Sequence, residues 1–420
     1  MSGATIAGKA PWLDDADLQT LLKVLSANGE QARIAGGAVR NALLGEPVAD
    51  VDIATTNEPG ETIVRAEAAG FKTVPTGIDH GTITVVAGGK PYEVTTLRAD
   101  VETDGRRAKV AFGRDWKADA ERRDFTINAL YADADGTIVD LVGGLADLES
   151  RTLQFIGDAE QRIREDFLRI LRFFRFFAWY GSGRPDADGL KACARLKDGL
   201  DQLSAERVWS ELTKLLAAPD PSRSLLWMRQ ASVLTKVLPE SEKWGIDAIH
   251  GLVAAERDLK WPVDPMLRLA AIVPPDQSRM AAMSTRLRLS NEEAARMEAW
   301  SSAALATRET TDLAMRQAIY RTDRQGIADR LKLALAASRA KAINDNAALH
   351  DAAGYARLLK IANNWEKPIF PLKGADILAT GVPEGPELGK RLKTLETAWI
   401  ESGFQLSRDA LLERAAKIDE

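Results

Sequence analysis

Cysteine is all but absent from this chain. Of 420 residues only Cys193 is a cysteine, which excludes an internal disulfide and fits a reducing compartment. Histidine is nearly as scarce. His350-Asp351 suggests a phosphohydrolase of the His-Asp type, but such a site needs further histidines, and only His80 and His250 remain. No apolar run approaches the ~20 residues needed to span a bilayer. No basic-then-apolar segment opens the chain either, so the cytoplasm is the expected location. Internal repeats and low-complexity tracts are also lacking. So is any excess of positive charge: 56 Lys and Arg stand against 61 Asp and Glu, a net −5. That balance does not advertise a nucleic-acid binder, although binding depends on where the cations sit.

What is present is an ordinary globular composition, 45% hydrophobic and 28% charged, in a chain too long for one core. Residues 1–150 read as mixed α/β. Helices are expected over Asp17–Ala27 and Glu61–Ala69, and strands near Ala32 and over Asp50–Ile53. A hairpin joins Thr82–Val86 to Tyr92–Leu97 through Gly88-Gly89-Lys90-Pro91. After Gly144 the pattern is helical almost without interruption, punctuated by prolines such as Pro219, Pro239 and Pro262. Ser290-Asn-Glu-Glu293 reads as a capping box.

The most informative stretch runs from residue 36 to residue 52. Gly36-Gly37 follows a short apolar run and precedes a helical segment, Ala38–Leu44, a strand-to-helix turn whose backbone N–H groups can hold a phosphate. Asp50 and Asp52 are two apart, so on a strand they project to one face while Val51 and Ile53 face the core. Converging carboxylates call for a cation between them. All-oxygen ligands of this kind suit Mg2+, which takes one or two carboxylates plus substrate phosphates. Metal carboxylates beside a phosphate turn suggest nucleotidyl or phosphoryl transfer. A lone Gly-Gly or a lone Asp-x-Asp is more often a plain turn or a solvated pair.

Two further constellations lie downstream. In Arg122-Arg-Asp-Phe-Thr-Ile-Asn-Ala-Leu130, a helix would set Asp124 and Asn128 on one face, able to read a ribose hydroxyl, with Arg122 and Arg123 reaching phosphate. Asp124 as an N-cap is the plainer alternative. Over Asp158–Trp179, helical spacing places Ile163, Phe167, Ile170, Leu171, Phe174 and Phe177 on one apolar arc. Arg169 and Arg172 fall opposite, with Asp166 at the boundary beside Arg169. Such a pair is either a surface ion pair or an acceptor and a fork of donors for the edge of a base.

In order along the chain, these residues resemble the motifs of the class II tRNA nucleotidyltransferases (CCA-adding enzymes) and the related bacterial poly(A) polymerases. The likeness is close over roughly residues 30–215. It implies an α+β polymerase-beta-like nucleotidyltransferase head at 1–150 and an otherwise all-α chain: a neck carrying the base template at 151–217, a body at 218–365 and an RNA-contacting tail at 366–420. By the resemblance, Gly36, Gly37 and Arg40 hold the triphosphate, and Asp50 and Asp52 the Mg2+ ions. Arg123, Asp124 and Asn128 read ribose and phosphates. Asp140-Leu-Val-Gly143-Gly144 sits at the head–neck junction.

Asp166 and Arg169, in a run continued by Arg172 and Arg175, pair with the edge of CTP or ATP. Glu206-Arg207 with Glu211 supports that template. The implied reaction adds CCA to the 3′ end of tRNA, with neither DNA nor a membrane as partner. Glu93 is a candidate supporting carboxylate, and Lys390, Arg391 and Lys393 are candidate RNA contacts. One departure is Asn41, where the family usually has aspartate; a structural or tuning role is expected there. Poly(A) synthesis, or addition of C alone or A alone, is the rival reading. Residues Thr76–Val85 and the loop Arg98–Arg107, which resembles a flexible loop of enzymes able to add the final A, favour full CCA addition.

Overall fold

Short β-branched runs set off by glycine turns build the first part of the chain into a mixed sheet. In the computed structural model, residues 4–104, 107–242 and 244–417 are described. The strands are β1 (Ala32–Ala35), β2 (Asp52–Thr55), β3 (Lys72–Gly77), β4 (Thr82–Ala87), β5 (Lys90–Thr96), β6 (Arg98–Asp104), β7 (Arg107–Phe112), β8 (Leu130–Ala132) and β9 (Ile138–Asp140). Seven of them form one sheet in the order β3-β4-β5-β2-β1-β8-β9, while β6 and β7 pair apart from it. Only β2 and β5 run parallel, and their register sets Asp52 beside Glu93 and Ile53 beside Val94. The β4–β5 hairpin turns on Gly88 and Gly89 alone, both at positive φ (57° and 75°). That geometry costs glycine nothing and matches the strand twist.

One sheet face is covered by α1 (Ala16–Leu25) and, past α2 (Gly37–Leu44), by α3 (Pro59–Ala68). Ile34, Ile53, Ile83, Val85 and Val94 are all at most 1% exposed beneath them. Opposite, Trp116 and Ala120 of α4 (Trp116–Glu121) close over Ala35, Ala54 and Tyr131. The helices continue as α5 (Gly144–Glu149), α6 (Ala159–Glu165), α7 (Leu168–Tyr180), α8 (Ala187–Leu196), α9 (Ala205–Leu216), α10 (Ser222–Gln230) and α11 (Val233–Val237). Phe125, at the end of the head's second arginine segment, packs on Phe155, Phe173 and Phe176 with ring centroids 4.9, 6.2 and 5.4 Å away. This aromatic cluster seats α7 under the sheet domain.

Contacts divide the chain into two compact units, Met1–Pro239 and Glu240–Glu420. In the second, the 19-residue helices Arg324–Ala342 and Asn346–Asn364 pack on one another. The capping box forms at Ser290 and Glu293 as the sequence predicts. The last helices gather around Trp399 and Leu395. Arg391 is 6% exposed and donates to the carbonyl of Ala415, so it does not share the exposed surface of its neighbours Lys390 and Lys393.

Several local expectations are revised. The segment expected as one helix over Asp158–Trp179 is two, α6 and α7, because Asp166 is extended (φ −156°, ψ 107°). The apolar arc is buried apart from Phe167, which is half-buried at the break. The Arg122–Leu130 stretch is no helix: α4 ends at Glu121, and a 3₁₀ turn, Thr126–Asn128, leads into β8. Asp50 precedes β2, and Val51 is half-buried. The Arg98–Arg107 loop contributes strand to both arms of the β6–β7 ribbon, while Gly105 and Arg106 lie outside the described residues.

In the second unit Arg268 and Glu256 are 1% and 4% exposed and 2.6 Å apart. Removing one partner of such a pair strands a buried charge. Arg268→Met is expected to lower stability by about 3–5 kcal/mol, and pairing it with Glu256→Leu to restore most of that loss. Urea unfolding of the three proteins checks this, and an unaltered midpoint in the single variant would refute it.

Candidate active site

The C-terminal end of β1, the start of α2, β2, β5, residues 122–128 and α7 surround a cleft of about 580 Å³. Its floor is the strand-to-helix turn. Gly36 has φ +64° and ψ −112° and donates its N–H to Leu130 O at 2.8 Å. A side chain there would be strained, and its Cβ would stand 3.2 Å from Arg123 Nη1. No side chain caps α2, which leaves its first turn of N–H groups for an anion.

Asp52 opens β2 at the cleft edge, with Glu93 and Thr95 of β5 beside it. Desolvation, then the neighbouring charges of Glu93 and Asp50, push the Asp52 carboxyl above its ordinary range. An opposite charge placed beside them would offset that repulsion. Asp52 and Glu93 line the cleft and Asp50 does not, and among the described residues no three such side chains converge as a preformed metal site. Carboxylate oxygens are nonetheless the donor type that suits Mg2+, which takes one or two of them beside substrate phosphates.

Arginines are numerous in the lining: Arg98, Arg122, Arg123, Arg169, Arg172 and Arg207 all face the cleft. Asp124 and Asn128 meet as the sequence suggested, although through the 3₁₀ turn, with Asn128 Nδ2 donating to Asp124 Oδ1 at 3.0 Å. Arg172 donates to the other oxygen of Asp124 at 2.6–2.7 Å. Arg40 lies at the cleft's base, 6% exposed. It donates to Asn128 Oδ1, to Asn41 Oδ1 at 3.1–3.2 Å and to the Tyr180 hydroxyl at 2.9 Å. Asn41 also donates to Pro47 O at 2.9 Å, a bracing role for the residue that departs from the family pattern.

Asp166 and Arg169 both line the cleft, and the side chain of each bonds to other protein partners and not to the other. Asp166 Oδ1 accepts from the N–H of Leu168 at 3.0 Å, starting α7, and Oδ2 accepts from Arg207 Nη2 at 2.7 Å. Arg169 Nη1 donates to Glu165 and to Arg162 O at 2.8 Å. Arg175 is not among the lining residues; it donates to Glu211 at 2.5 Å and lies over the Phe176 ring. Arg98, Thr95 and Phe176 line the cleft without having been singled out as site residues. Arg98 opens the loop noted in the sequence, whereas nothing local marks Thr95 or Phe176, which a strand and a helix distant in sequence bring in.

Burial opposes the charge of Asp124, but Arg172, Asn128 and the Phe125 N–H outweigh it and hold its carboxyl below the usual range. A carboxylate whose folded pKa is depressed stabilises the fold above the unfolded value and loses that contribution as pH falls through the folded one. The stability gap between the native chain and Asp124→Asn should therefore be steady from pH 8 to 5, about 2 kcal/mol. It should shrink below about pH 4. Urea unfolding across pH measures it, and a gap that widens on acidification contradicts the assignment.

Comparison with known proteins adds to this geometry. The family profile described as "Poly A polymerase head domain" matches residues 32–154. The profile described as "Probable RNA and SrmB- binding site of polymerase A" matches residues 185–244. The Mus musculus protein "CCA tRNA nucleotidyltransferase 1, mitochondrial" is 34% identical over 403 residues, covering 94% of this chain and 88% of the relative. A Streptococcus pneumoniae protein named "CCA-adding enzyme" is 32% identical over 405 residues, covering 93% and 94%. The solved structure of the Bacillus stearothermophilus CCA-adding enzyme in complex with CTP is similar with a TM-score of 0.74 at 26% identity, covering 96% of this chain and 97% of that one. Among the described residues, no helix is long and apolar enough to cross a membrane.

Proposed function

This chain belongs to the CCA-adding enzymes, the tRNA nucleotidyltransferases, and from that premise we propose how its cleft builds CCA on the 3′ end of tRNA from CTP and ATP. The observation that carries the reading is one cleft lined together by the carboxylates of Asp52 and Glu93, an uncapped helix start and a set of arginines. In the reaction the 3′-hydroxyl oxygen of the RNA bonds to the α-phosphorus of the nucleotide. The bond from that phosphorus to its bridging oxygen breaks, and pyrophosphate leaves.

Asp50 and Asp52 are the residues that would hold Mg2+. When bound, that ion lowers the pKa of the attacking hydroxyl and stabilises charge on the leaving oxygens. The amides at Gly36 and Gly37, with Arg123, take the triphosphate. Arg40 orients that turn from beneath, through Asn128 and Tyr180. Asp124 and Asn128 face the ribose, and Arg172 stands between ribose and base. Asp166 supplies an acceptor and Arg169 a fork of donors for the Watson–Crick edge of cytosine or adenine. A base with a mismatched edge leaves those groups unpaired, which is the source of discrimination. Arg175 serves this reader indirectly, by pinning α7 to Glu211 of α9.

We assign residues 1–150 as the catalytic head and 151–217 as the template-bearing neck. Residues 218–365 and 366–420 are the body and tail that grip the tRNA mainly through phosphates and shape. The single, fully buried cysteine is consistent with a reducing, cytoplasmic setting.

The deciding assay supplies the protein and Mg2+ with tRNA transcripts ending before CCA, after C and after CC, with CTP and ATP separately and together. Ordered addition of C, C and A that then stops is expected. Long A tails from ATP alone would replace the reading with poly(A) synthesis, and a halt after CC with a partial enzyme. Asp52→Ala should abolish transfer without lowering the unfolding midpoint; retained turnover would remove the metal assignment. Asp166→Ala should erode the preference for CTP and ATP over UTP and GTP by about tenfold or more, the value of one lost charged hydrogen bond. Unchanged selectivity in that variant would dismiss the base-reading role.

A further inference from the structure

Arg122 and Arg123 both face the cleft, and a single carboxylate stands behind them. Asp119 is 1% exposed. Its Oδ1 accepts from Arg122 Nε at 2.9 Å and Nη2 at 2.6 Å. Its Oδ2 accepts from Arg123 Nε at 3.3 Å and Nη2 at 3.2 Å, and from the Tyr131 hydroxyl at 2.7 Å. The arrangement follows from α4: Asp115 caps its start, and the next helical turn sets Asp119 three and four residues ahead of the two arginines.

The surroundings hold this carboxylate in one orientation. Tyr131 is fully buried, wedged edge-on against Trp116 at 5.1 Å, with the Arg123 guanidinium over its ring at 5.0 Å. Desolvation raises the Tyr131 hydroxyl, so it stays a donor at working pH. Burial opposes the charge on Asp119, but Arg123 and Arg122 outweigh it and keep the carboxyl ionised. One carboxylate against two guanidiniums leaves a surplus positive charge directed at the cleft. Arg123 Nη1 additionally donates to Asn128 O at 3.2 Å, beneath Gly36. Its guanidinium is thereby fixed against the phosphate turn itself.

We propose that Asp119, backed by Tyr131, is a positioning residue for the nucleotide, setting the planes of Arg122 and Arg123 to receive the triphosphate. This rests on the reading above in which Arg123 contacts the nucleotide. A carboxylate that merely stabilised the fold would lower the unfolding midpoint or the active fraction, but would leave the affinity of folded molecules intact. Positioning instead affects phosphate recognition and spares base choice.

The test compares native protein, Asp119→Asn, Tyr131→Phe and Arg123→Ala. Steady-state kinetics uses CTP and a tRNA lacking CCA, and calorimetry measures binding of inorganic pyrophosphate. Asp119→Asn is expected to raise the KM for CTP about tenfold, the size of one charged hydrogen bond lost. Tyr131→Phe, which removes only one neutral donor, should raise it about threefold. Pyrophosphate affinity should weaken in parallel, while the CTP-over-UTP ratio and the KM for tRNA stay at native values. Native KM and pyrophosphate affinity in both variants, with Arg123→Ala impaired, would overturn the positioning role. If Arg123→Ala is also native in both readouts, the assignment of Arg123 to the nucleotide has failed instead. Should Asp119→Asn not fold, Tyr131→Phe decides alone, since it keeps the ring and its packing.

Discussion

The ion pair between Asp124 and Arg172 joins segments 48 residues apart in the chain and closes a ring of hydrogen bonds. From Asp124 the ring passes to Asn128, from Asn128 to Arg40, from Arg40 to Tyr180, and back along α7 to Arg172. Its members lie on the Arg122–Leu130 segment, on α2 and on α7. Buried polar groups are costly unless each is satisfied, and a satisfied ring is correspondingly specific. Phe176 fills its inner side, with the guanidinium carbons of Arg40 and Arg172 at 5.2 and 5.3 Å from its ring centroid. The cleft therefore has one set of relative positions for the groups proposed to meet phosphate, ribose and base.

Charge follows the same logic. A chain with a net charge of −5 still concentrates guanidiniums in one cleft, because most of them are paired with carboxylates. Asp119 and Glu165, outside the cleft lining, pair with Arg122, Arg123 and Arg169, while Asp124 and Asp166 share the cleft with their partners Arg172 and Arg207. Each pair lowers the cost of bringing arginines together while leaving donors directed into the cleft. Neutralising them fully would lose the attraction for a polyanion, and leaving them unpaired would make the folded state costly.

What the sequence made legible was what local physics decides. The Gly88-Gly89 hairpin, the Ser290 capping box and the strand–glycine–helix turn at Gly36 depend on a few adjacent residues, and all formed. The Asp166 break did not announce itself, because the apolar period from Ile163 to Ile170 runs through it without a phase error. Nothing local in Arg122–Leu130 separates a helix from the 3₁₀ turn that forms, because Asp124 and Asn128 sit four apart in either geometry. Asp119 did leave a signal, a carboxylate three and four residues before two arginines, but many surface helices carry that spacing. Its burial under Tyr131 is tertiary and invisible in one dimension. The bond from Arg40 to Tyr180 spans 140 residues, and no spacing rule reaches that far.

The break at Asp166 has a consequence for how side chains read a base. In a continuous helix the Leu168 N–H would bond to a carbonyl four residues earlier; here it bonds to the Asp166 carboxylate. One Asp166 oxygen is thus fixed by the backbone of α7 and the other by Arg207 of α9. The acceptor is held from two helices at once, and each oxygen keeps a further lone-pair direction. Arg169 is anchored at Nη1, whereas its Nη2 makes only a long contact of 3.4 Å to Arg122 O. A rigid acceptor beside a guanidinium held at one end is able to meet either of two bases. Cytosine and adenine both present a donor and an acceptor on that edge, but at different offsets, and in the proposed role the freer end of Arg169 would take up the difference. On the proposed base-reading role, the helix break is what would let one site accept two nucleotides and still leave the wrong ones with unpaired polar groups.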